Sequence, residues 1–474
     1  MCGDATLRGA AGQTRRWPVF GQRRVARATA PPVGPSIVGE AAAKGLPAER
    51  GTALKPTEYA CPASLVSMTM ADPAINECPY EYYGRMHAEA PVHYDARMGL
   101  WLVTRHADII EASHKWDVFS SHIDMRRDVS AVDPTEADEL FLREGWLVAD
   151  VLSQVDPPRH TTFRRMVERL FTGPVVKRMH AYLDEHVLEL MAPFEKRGHA
   201  DFLNEFALLL PLDVVADQLG LPRTDGALLR RWSDAFIASF DPTITAESKL
   251  ALCRIILEFQ RYFVAWRTKK TEKPGDDLLS MLVATRRDDG EPLSTEEYLA
   301  LCAQLMVAGS ETTRNHLLSI MLMLCDDQAL QARLRAAPEL IPRFVEESLR
   351  LESPAQGLYR RTTREFELGG TSIPAGAIVM MMYGAANRDP ATFPEPARLD
   401  LERANANRHM AFGYGIHGCI GRTLATAELN IATRRLLERL GPIRLAAGRP
   451  RPTHMFHFNM RALSSMHIEF DVLS

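Results

Sequence analysis

One cysteine near the C-terminus stands among residues whose types and spacing suggest chemistry. Residues 412–421 read Phe-Gly-Tyr-Gly-Ile-His-Gly-Cys-Ile-Gly, and a helical pattern that carries Leu424, Ala425 and Glu428 follows at once. The pattern predicts that Cys419 lies on a tight loop at the N-terminus of a helix. Free backbone N–H groups and the positive end of the helix dipole favour a negatively charged sulfur there. The glycines of the loop let a large, flat group lie against the main chain.

A thiolate beside a flat group suggests a particular cofactor. A macrocycle with an iron atom at its centre satisfies both features of the loop. Sulfur bound to haem iron pushes electron density toward the opposite face and favours cleavage of an O–O bond. The loop therefore predicts oxygen activation. On the residues alone, the alternative is a buried structural cysteine beside a glycine turn.

The run 412–421 and its continuation resemble the haem-binding loop of the cytochrome P-450 superfamily. The resemblance extends over about residues 60–474. It implies a mainly α protein with a small β part, in which one large domain at 58–474 encloses the haem. It further implies a b-type haem with Cys419 as the axial ligand of the iron and with Phe412 and Gly413 against the cofactor.

Positively charged residues elsewhere are candidates for binding the two haem propionates. His160 and Arg164 lie four residues apart on one face of a helix that follows a proline pair. Arginine suits paired hydrogen bonds to carboxylates, and the resemblance implies that these two residues bind the propionates. A solvated basic helix face is the alternative. Arg360 and Arg361 offer one further partner, for which we favour Arg361.

His409, three residues before Phe412, is another candidate for a propionate.

A long helix with a polar middle is predicted from about residue 294 to Cys325. Ser294 and Glu297 form a capping box, and so long and apolar a helix must cross the core. Residues 308–313, Ala-Gly-Ser-Glu-Thr-Thr, interrupt its apolar character. They resemble the oxygen-binding groove of the family, with Ala308 and Gly309 at the ligand and with Glu311 and Thr312 as a proton path and a hydroxyl. An amphipathic helix with a polar stripe is the alternative.

Glu347 and Arg350 share a helix face and match the family's Glu-x-x-Arg pair. Arg403 stands where the family's second arginine belongs. The resemblance implies a structural triad that holds the loop carrying Cys419.

Secondary-structure patterns agree with a mainly helical protein. Alternation predicts a hairpin between residues 91 and 104, with further strands only around 366–383 and 455–472. Helical spacing recurs in four long segments, 178–194, 203–219, 226–239 and 246–270.

Composition limits the location of the protein and its partners. The net charge of −4 argues against nucleic-acid binding, and no run of about 18 apolar residues predicts a membrane span. Seven cysteines without paired spacing suggest reduced thiols in the cytoplasm. We also expect a monomer. Residues 1–57 carry nine Lys/Arg against three Asp/Glu and few large apolar residues, so we expect a disordered tail or a misassigned start.

The resemblance implies a monooxygenase that inserts one oxygen atom from dioxygen into an apolar small molecule. Electrons would come from NAD(P)H through a ferredoxin and its reductase, and acidic ferredoxin would dock on arginines that flank the cysteine loop: Arg408, Arg422, Arg434 and Arg435. A peroxygenase, a haem-thiolate enzyme without a redox partner and a non-catalytic haem sensor are the alternatives.

Overall fold

A computed structural model of the protein describes residues 65, 67–123, 135–169, 171–239 and 245–473. The tail predicted at 1–57 lies outside the described residues.

Helices make up most of the described chain, as predicted. They are α1 Pro73–Glu77, α2 Tyr80–Glu89, α3 His106–His114, α4 Thr135–Glu144, α5 Arg159–Glu168, α6 Gly173–Met191, α7 Leu209–Leu219, α8 Gly226–Ala238, α9 Ala246–Glu272, α10 Leu278–Ala284, α11 Thr295–Asp326, α12 Gln328–Ala336, α13 Ile341–Leu351, α14 Tyr383–Ala386 and α15 Arg422–Arg439.

The strands form three small sheets. They are β1 Val92–Asp95, β2 Leu100–Val103, β3 Phe119–Ser120, β4 His199–Asp201, β5 Leu358–Thr362, β6 Phe366–Leu368, β7 Thr371–Ile373, β8 Ile378–Met381, β9 Leu440–Leu445 and β10 His467–Val472. The largest sheet has the order β1-β2-β8-β5-β3, and β2 and β8 run parallel in it. The other two are β4-β10-β9 and the hairpin β6-β7.

Helix α11 is the longest element and starts at the predicted capping box. The Ser294 hydroxyl accepts a hydrogen bond from the Glu297 amide at 3.1 Å, and the Glu297 carboxylate accepts one from the Ser294 amide at 3.0 Å. Two donors that have no partner within the helix are thereby satisfied.

The two largest apolar clusters of the core meet different halves of α11. Leu299, Leu301 and Met306 of its first half belong to one cluster, with side chains from α7, α8 and α9. Leu317 and Met321 of its second half belong to the other, with side chains from α6, α13 and α15. The polar residues in the middle of α11 therefore lie between two apolar blocks that hold the helix at both ends.

The sheets differ in part from the sequence prediction. The hairpin β1-β2 is confirmed, but β5 and β9 were not predicted. Strand β5 carries two adjacent arginines, which hide its alternation. The predicted strand at 455–472 is wrong in its first half, where isolated bridges such as His454 with Leu463 precede β10. The segment predicted as one helix at 203–219 begins with a π-helical turn, Leu203–Ala207.

No helix in the described ranges has both the length and the apolar character needed to cross a bilayer.

Glu428 of α15 predicts a pH dependence of stability. Burial raises the pKa of this carboxyl from 4.5 to about 8. The folded protein then binds more protons than the unfolded chain between those values. The free energy of unfolding should therefore fall as pH rises, by on the order of 1.4 kcal/mol per pH unit at most.

Glu428→Gln should remove most of this decline, because glutamine stays neutral. Denaturant unfolding at several pH values between about 5 and 8 measures it. Glu438→Gln, at an exposed position of the same helix, is the control and should keep the wild-type slope. An equal slope in wild type and Glu428→Gln would contradict the prediction.

Candidate active site

The predicted cysteine loop is a tight structure that ends at the start of α15. A short 3-10 turn spans Gly415–His417, and the Cys419 amide donates to the Phe412 carbonyl at 2.8 Å. Gly413 and Gly415 both have a φ of 69°. Side chains with a Cβ rarely adopt this left-handed conformation, so the course of the loop requires glycine at these two positions.

The Cys419 thiol lies deep in the protein but keeps accessible surface. Burial raises the pKa of the thiol, while the backbone N–H groups of Gly421 and Arg422 and the charge of Arg164 lower it. By surface area the residue is nevertheless exposed. The N–H groups at the start of α15 are directed at the sulfur, as a thiolate requires.

Helix α5 brings His160 and Arg164 to the cysteine loop. Arg164 Nη1 donates to the carbonyls of Ile416 at 3.0 Å and Gly418 at 2.7 Å. The His160 ring is buried and lies 4.3 Å from the ring of His417, measured between centroids. His160 Nε2 has no hydrogen-bond partner. Burial, followed by the charge of Arg164, lowers the pKa of His160 and keeps the ring neutral near pH 7.

Strand β5 directs Arg360, rather than the favoured Arg361, toward this group. The Arg360 side chain is buried, and its Nη1 donates to the Tyr359 carbonyl at 2.6 Å. Burial lowers the pKa of His417 most, and the charge of Arg360 is the next cause. The same charge contributes to the lowered pKa of His160. Because neighbouring side chains of a strand point to opposite faces, Arg361 is directed away from the two histidines.

His409 has protein partners at both ring nitrogens. Its Nε2 lies 3.1 Å from Glu346 of α13, and its Nδ1 accepts a hydrogen bond from the Ala411 amide at 3.1 Å. The structure thus ties His409 to α13, and these contacts give no support to the propionate role predicted for it.

The three residues predicted as a structural triad are in contact. Arg350 donates to both carboxylate oxygens of Glu347 at 2.8 Å, and Arg403 Nε donates to the same carboxylate at 2.9 Å. Arg350 also donates to carbonyls of the segment that leads to the cysteine loop, those of Asn387, Pro396 and Arg398. The side chains of Glu347 and Arg350 have no exposed surface. The cluster fixes that segment against α13.

Ala308 and Thr312, one turn apart on α11, form a strip with accessible surface, which we call the accessible strip. Ala308 is exposed and Thr312 is half-buried, although the helix crosses the core. The Thr312 hydroxyl donates to the Ala308 carbonyl at 3.1 Å.

Gly309 lies against the neighbouring helix. A Cβ at this position would lie 2.8 Å from Cγ2 of Val215 on α7. Close packing of α7 on α11 therefore explains the glycine, and the cofactor contact that the sequence suggested for it stays a prediction.

Glu311 is buried beside an arginine of its own helix. Its carboxylate lies 2.5 Å from Arg314, and only 4% of the side chain is exposed. Burial raises the pKa of Glu311, and the charge of Arg314 opposes this rise. A carboxyl held in this way has a higher proton affinity than an exposed glutamate.

Two residues of this site were not assigned a role from the sequence. His417 lies inside the quoted loop, and its Nε2 is 2.8 Å from the Ser121 hydroxyl. Its position between loop glycines was the available signal. Asp234 of α8 lies near Glu311 and raises its pKa, and no motif marked it.

The comparisons with known proteins agree with this geometry. The family model for Cytochrome P450 matches residues 227–453. Cytochrome P450 107B1 of Saccharopolyspora erythraea is 32% identical over 400 residues, which cover 83% of this chain and 96% of that protein. Cytochrome P450 monooxygenase PikC of Streptomyces venezuelae is 37% identical over 370 residues, covering 76% and 83%.

A solved structure shares the fold as well. CYP109E1 from Bacillus megaterium, in complex with testosterone, superimposes with a TM-score of 0.73 at 27% identity and covers 85% of this chain and 100% of that one. Fold and cysteine loop together define a haem-thiolate protein. The chain belongs to the cytochrome P450 family. It is a monooxygenase whose cofactor is haem b, and bacterial members usually receive electrons from NAD(P)H through redox partners.

The residues present fit this cofactor. The sulfur of Cys419 is accessible on one side, and the helix N–H groups favour its negative form. The buried Nε2 of His160 has no partner, and a neutral imidazole N–H donates well to a carboxylate. Arg164 and Arg360 place two positive charges at the same end of the loop.

Loss of the Glu347 carboxylate should destabilise the protein. Glu347→Gln leaves two buried arginines uncompensated, which costs on the order of 3–5 kcal/mol. Denaturant unfolding measures the stability. The absorbance band of the reduced, carbon monoxide-treated protein measures thiolate-bound haem, which should fall in parallel.

Glu402→Gln is the matched control for this substitution. Glu402 is 61% exposed and pairs with Arg333 and Arg343 at the surface, so the change should cost at most about 1 kcal/mol. Equal stability and equal haem content in both variants would contradict the structural role of Glu347.

Proposed function

We propose that this enzyme inserts one oxygen atom from dioxygen into an apolar small molecule, with protons supplied through Glu311 and Thr312. The observation that carries the proposal is the polar middle of α11, where a buried carboxyl and an accessible hydroxyl adjoin. Buried polar groups are costly unless they have partners or a use. The second oxygen atom leaves as water, which takes up two protons and two electrons.

Cysteine and cationic side chains would hold the cofactor, which when bound supplies the activation of dioxygen. We assign the iron ligand to Cys419. His160, Arg164 and Arg360 are our candidates for the two propionates, because two of them carry charge and the third has a free ring nitrogen in a buried place. Burial strengthens such charge-assisted hydrogen bonds.

Glu311 and Thr312 would divide the handling of protons. Burial raises the pKa of Glu311, which favours the protonated carboxyl, and Arg314 stabilises the carboxylate that remains after release. Thr312 presents a hydroxyl on the accessible strip. It can turn from the Ala308 carbonyl and donate toward the oxygen-binding side.

An apolar substrate agrees with the apolar side chain of Ala308 on the accessible strip. The related CYP109E1 was solved with testosterone bound. We therefore propose a class of substrates, apolar compounds such as steroids, terpenoids and fatty chains, and do not propose one compound.

A ferredoxin with its reductase is the proposed electron source, in the cytoplasm. Of the four arginines predicted to dock it, Arg434 and Arg435 pair with Asp184 of α6, and Arg435 does so at 2.5 Å. Arg422 is exposed but lies 3.4 Å from Glu346, whereas Arg408 is exposed beside the cysteine loop and is the better candidate. An acidic partner would be steered to them by charge.

A reconstituted assay tests the function. Purified protein, ferredoxin, reductase and NAD(P)H are combined with a panel of apolar compounds that first shift the haem absorbance on titration. We expect substrate-dependent NAD(P)H consumption and a hydroxylated product. Turnover with hydrogen peroxide but not with NAD(P)H and the redox partners would indicate a peroxygenase, and conversion without any electron donor would indicate a rearranging enzyme. A substrate-induced shift without turnover in any of these assays would indicate a sensor.

Thr312→Ala should separate electron use from product formation. Removal of the hydroxyl should leave haem and substrate binding intact but lower product per NAD(P)H, roughly tenfold or more, with hydrogen peroxide released instead. Thr313→Ala, at the next and buried position, is the control and should keep the wild-type ratio. An unchanged product ratio in Thr312→Ala would defeat the assigned role.

A further inference from the structure

Tyr383 is a buried tyrosine whose hydroxyl makes no hydrogen bond to any described residue. It is the first residue of α14, and only 2% of it is exposed. The hydroxyl oxygen nevertheless keeps accessible surface. A hydroxyl that is buried without a partner costs free energy, and phenylalanine would fill the same space without that cost. The residue type therefore indicates a partner that is not part of the chain.

The phenol of Tyr383 lies against the cysteine loop. A Cβ at Gly413 would lie 3.7 Å from the Tyr383 hydroxyl oxygen and 3.8 Å from its ring Cε2. Because Gly413 has no Cβ, the hydroxyl comes close to the main chain of the loop. Tyr383 thus lies beside the loop that carries Cys419, where we expect the cofactor.

The largest sheet places Arg360 and Tyr383 on the same side. In the pairing of β5 with β8, Arg360 lies opposite Val379, and residues directly opposite each other share a face. Alternation along the chain puts Met381 and Tyr383 on the face of Val379, and these three residues belong to one apolar cluster. The side chains of Arg360 and Tyr383 therefore extend from the same face of the sheet.

The charge of Arg360 acts on the phenol. Burial raises the pKa of Tyr383, and the positive charge of Arg360 opposes this rise. The hydroxyl stays protonated near neutral pH and can donate a hydrogen bond. Tyr359, on the opposite face of the sheet, has a pKa that burial alone raises. An anion beside Arg360 would therefore lie near the Tyr383 hydroxyl and away from Tyr359.

We propose that the Tyr383 hydroxyl donates a hydrogen bond to the haem propionate that Arg360 binds. Carboxylate oxygens are the strong hydrogen-bond acceptors of haem, and a carboxylate can accept bonds from a guanidinium and a phenol at once. This inference rests on the proposed assignment of Arg360 to a propionate. Tyr383 would hold the cofactor in place and take no part in the transfer of protons or electrons.

The first test measures how fast haem leaves the protein. The oxidised holoenzyme is mixed with excess apomyoglobin, and the transfer of haem is followed by absorbance. Tyr383→Phe should release haem roughly tenfold faster, because a hydrogen bond to a charged group is lost while the ring is kept. Tyr359→Phe, at a buried position in a different apolar cluster, is the control and should release haem at the wild-type rate.

The second test measures the hydrogen bonding of the propionates. Resonance Raman spectra of the oxidised holoenzyme contain propionate bending bands, which move when a hydrogen bond to the carboxylate is lost. Tyr383→Phe and Arg360→Gln should each shift these bands, whereas Tyr359→Phe should not. The absorbance band of the reduced, carbon monoxide-treated protein should be the same in all variants, because the iron ligand is unchanged.

The outcomes separate this inference from the assignments on which it rests. Unshifted propionate bands in Arg360→Gln would defeat the assignment of Arg360, and the shared propionate with it. Shifted bands in Arg360→Gln together with wild-type bands in Tyr383→Phe would overturn the inference alone. Faster haem release by Tyr383→Phe with unshifted bands would also overturn it, because that pattern indicates altered packing. Neither test measures turnover, so a failure of the proposed monooxygenation would appear only in the reconstituted assay.

Discussion

The arrangement of the active site depends on a buried cluster of one carboxylate and two arginines. Glu347 receives hydrogen bonds from Arg350 and Arg403, and Arg350 donates to three carbonyls of the segment before the cysteine loop. Charges taken out of water are costly, and such a cluster is tolerable only when each hydrogen bond is made. This requirement fixes the course of the segment before the cysteine loop, which has little regular structure of its own. The loop that carries Cys419 is thereby held in a fixed place relative to α13.

Helix α11 places polar groups inside an apolar core. Its two halves are anchored in separate apolar clusters, and its middle belongs to neither. The helix can therefore hold Glu311, with its partner Arg314, and the accessible Thr312 without losing stability at its ends. Burial of the carboxyl also gives it the proton affinity that an exposed glutamate lacks.

Much of this site could be predicted from the sequence, because the signals were local. Glycines around Cys419 and the capping box at Ser294 each specify a conformation within a few residues. The pair of Glu347 and Arg350 is likewise a matter of spacing along one helix. Such patterns are read directly from the chain.

The remaining features depend on contacts between distant segments, which no local pattern encodes. The register of β5 decides which of Arg360 and Arg361 faces the loop. The strand itself was not predicted, because its polar residues obscure the alternation that marks a strand. Asp234 lies on α8, and only the folded structure brings it to the same small pocket as Glu311 of α11. His409 was predicted from proximity in sequence, whereas its partner is Glu346 of α13.

The close approach of α7 to α11 at Gly309 limits how the pocket can be remodelled. Even one added methyl group at residue 309 would press on Val215. Ala308, one position earlier, is exposed. Laboratory evolution of new selectivity would therefore gain more from varying residue 308, where a larger side chain enters open space, than from residue 309, where it separates two helices.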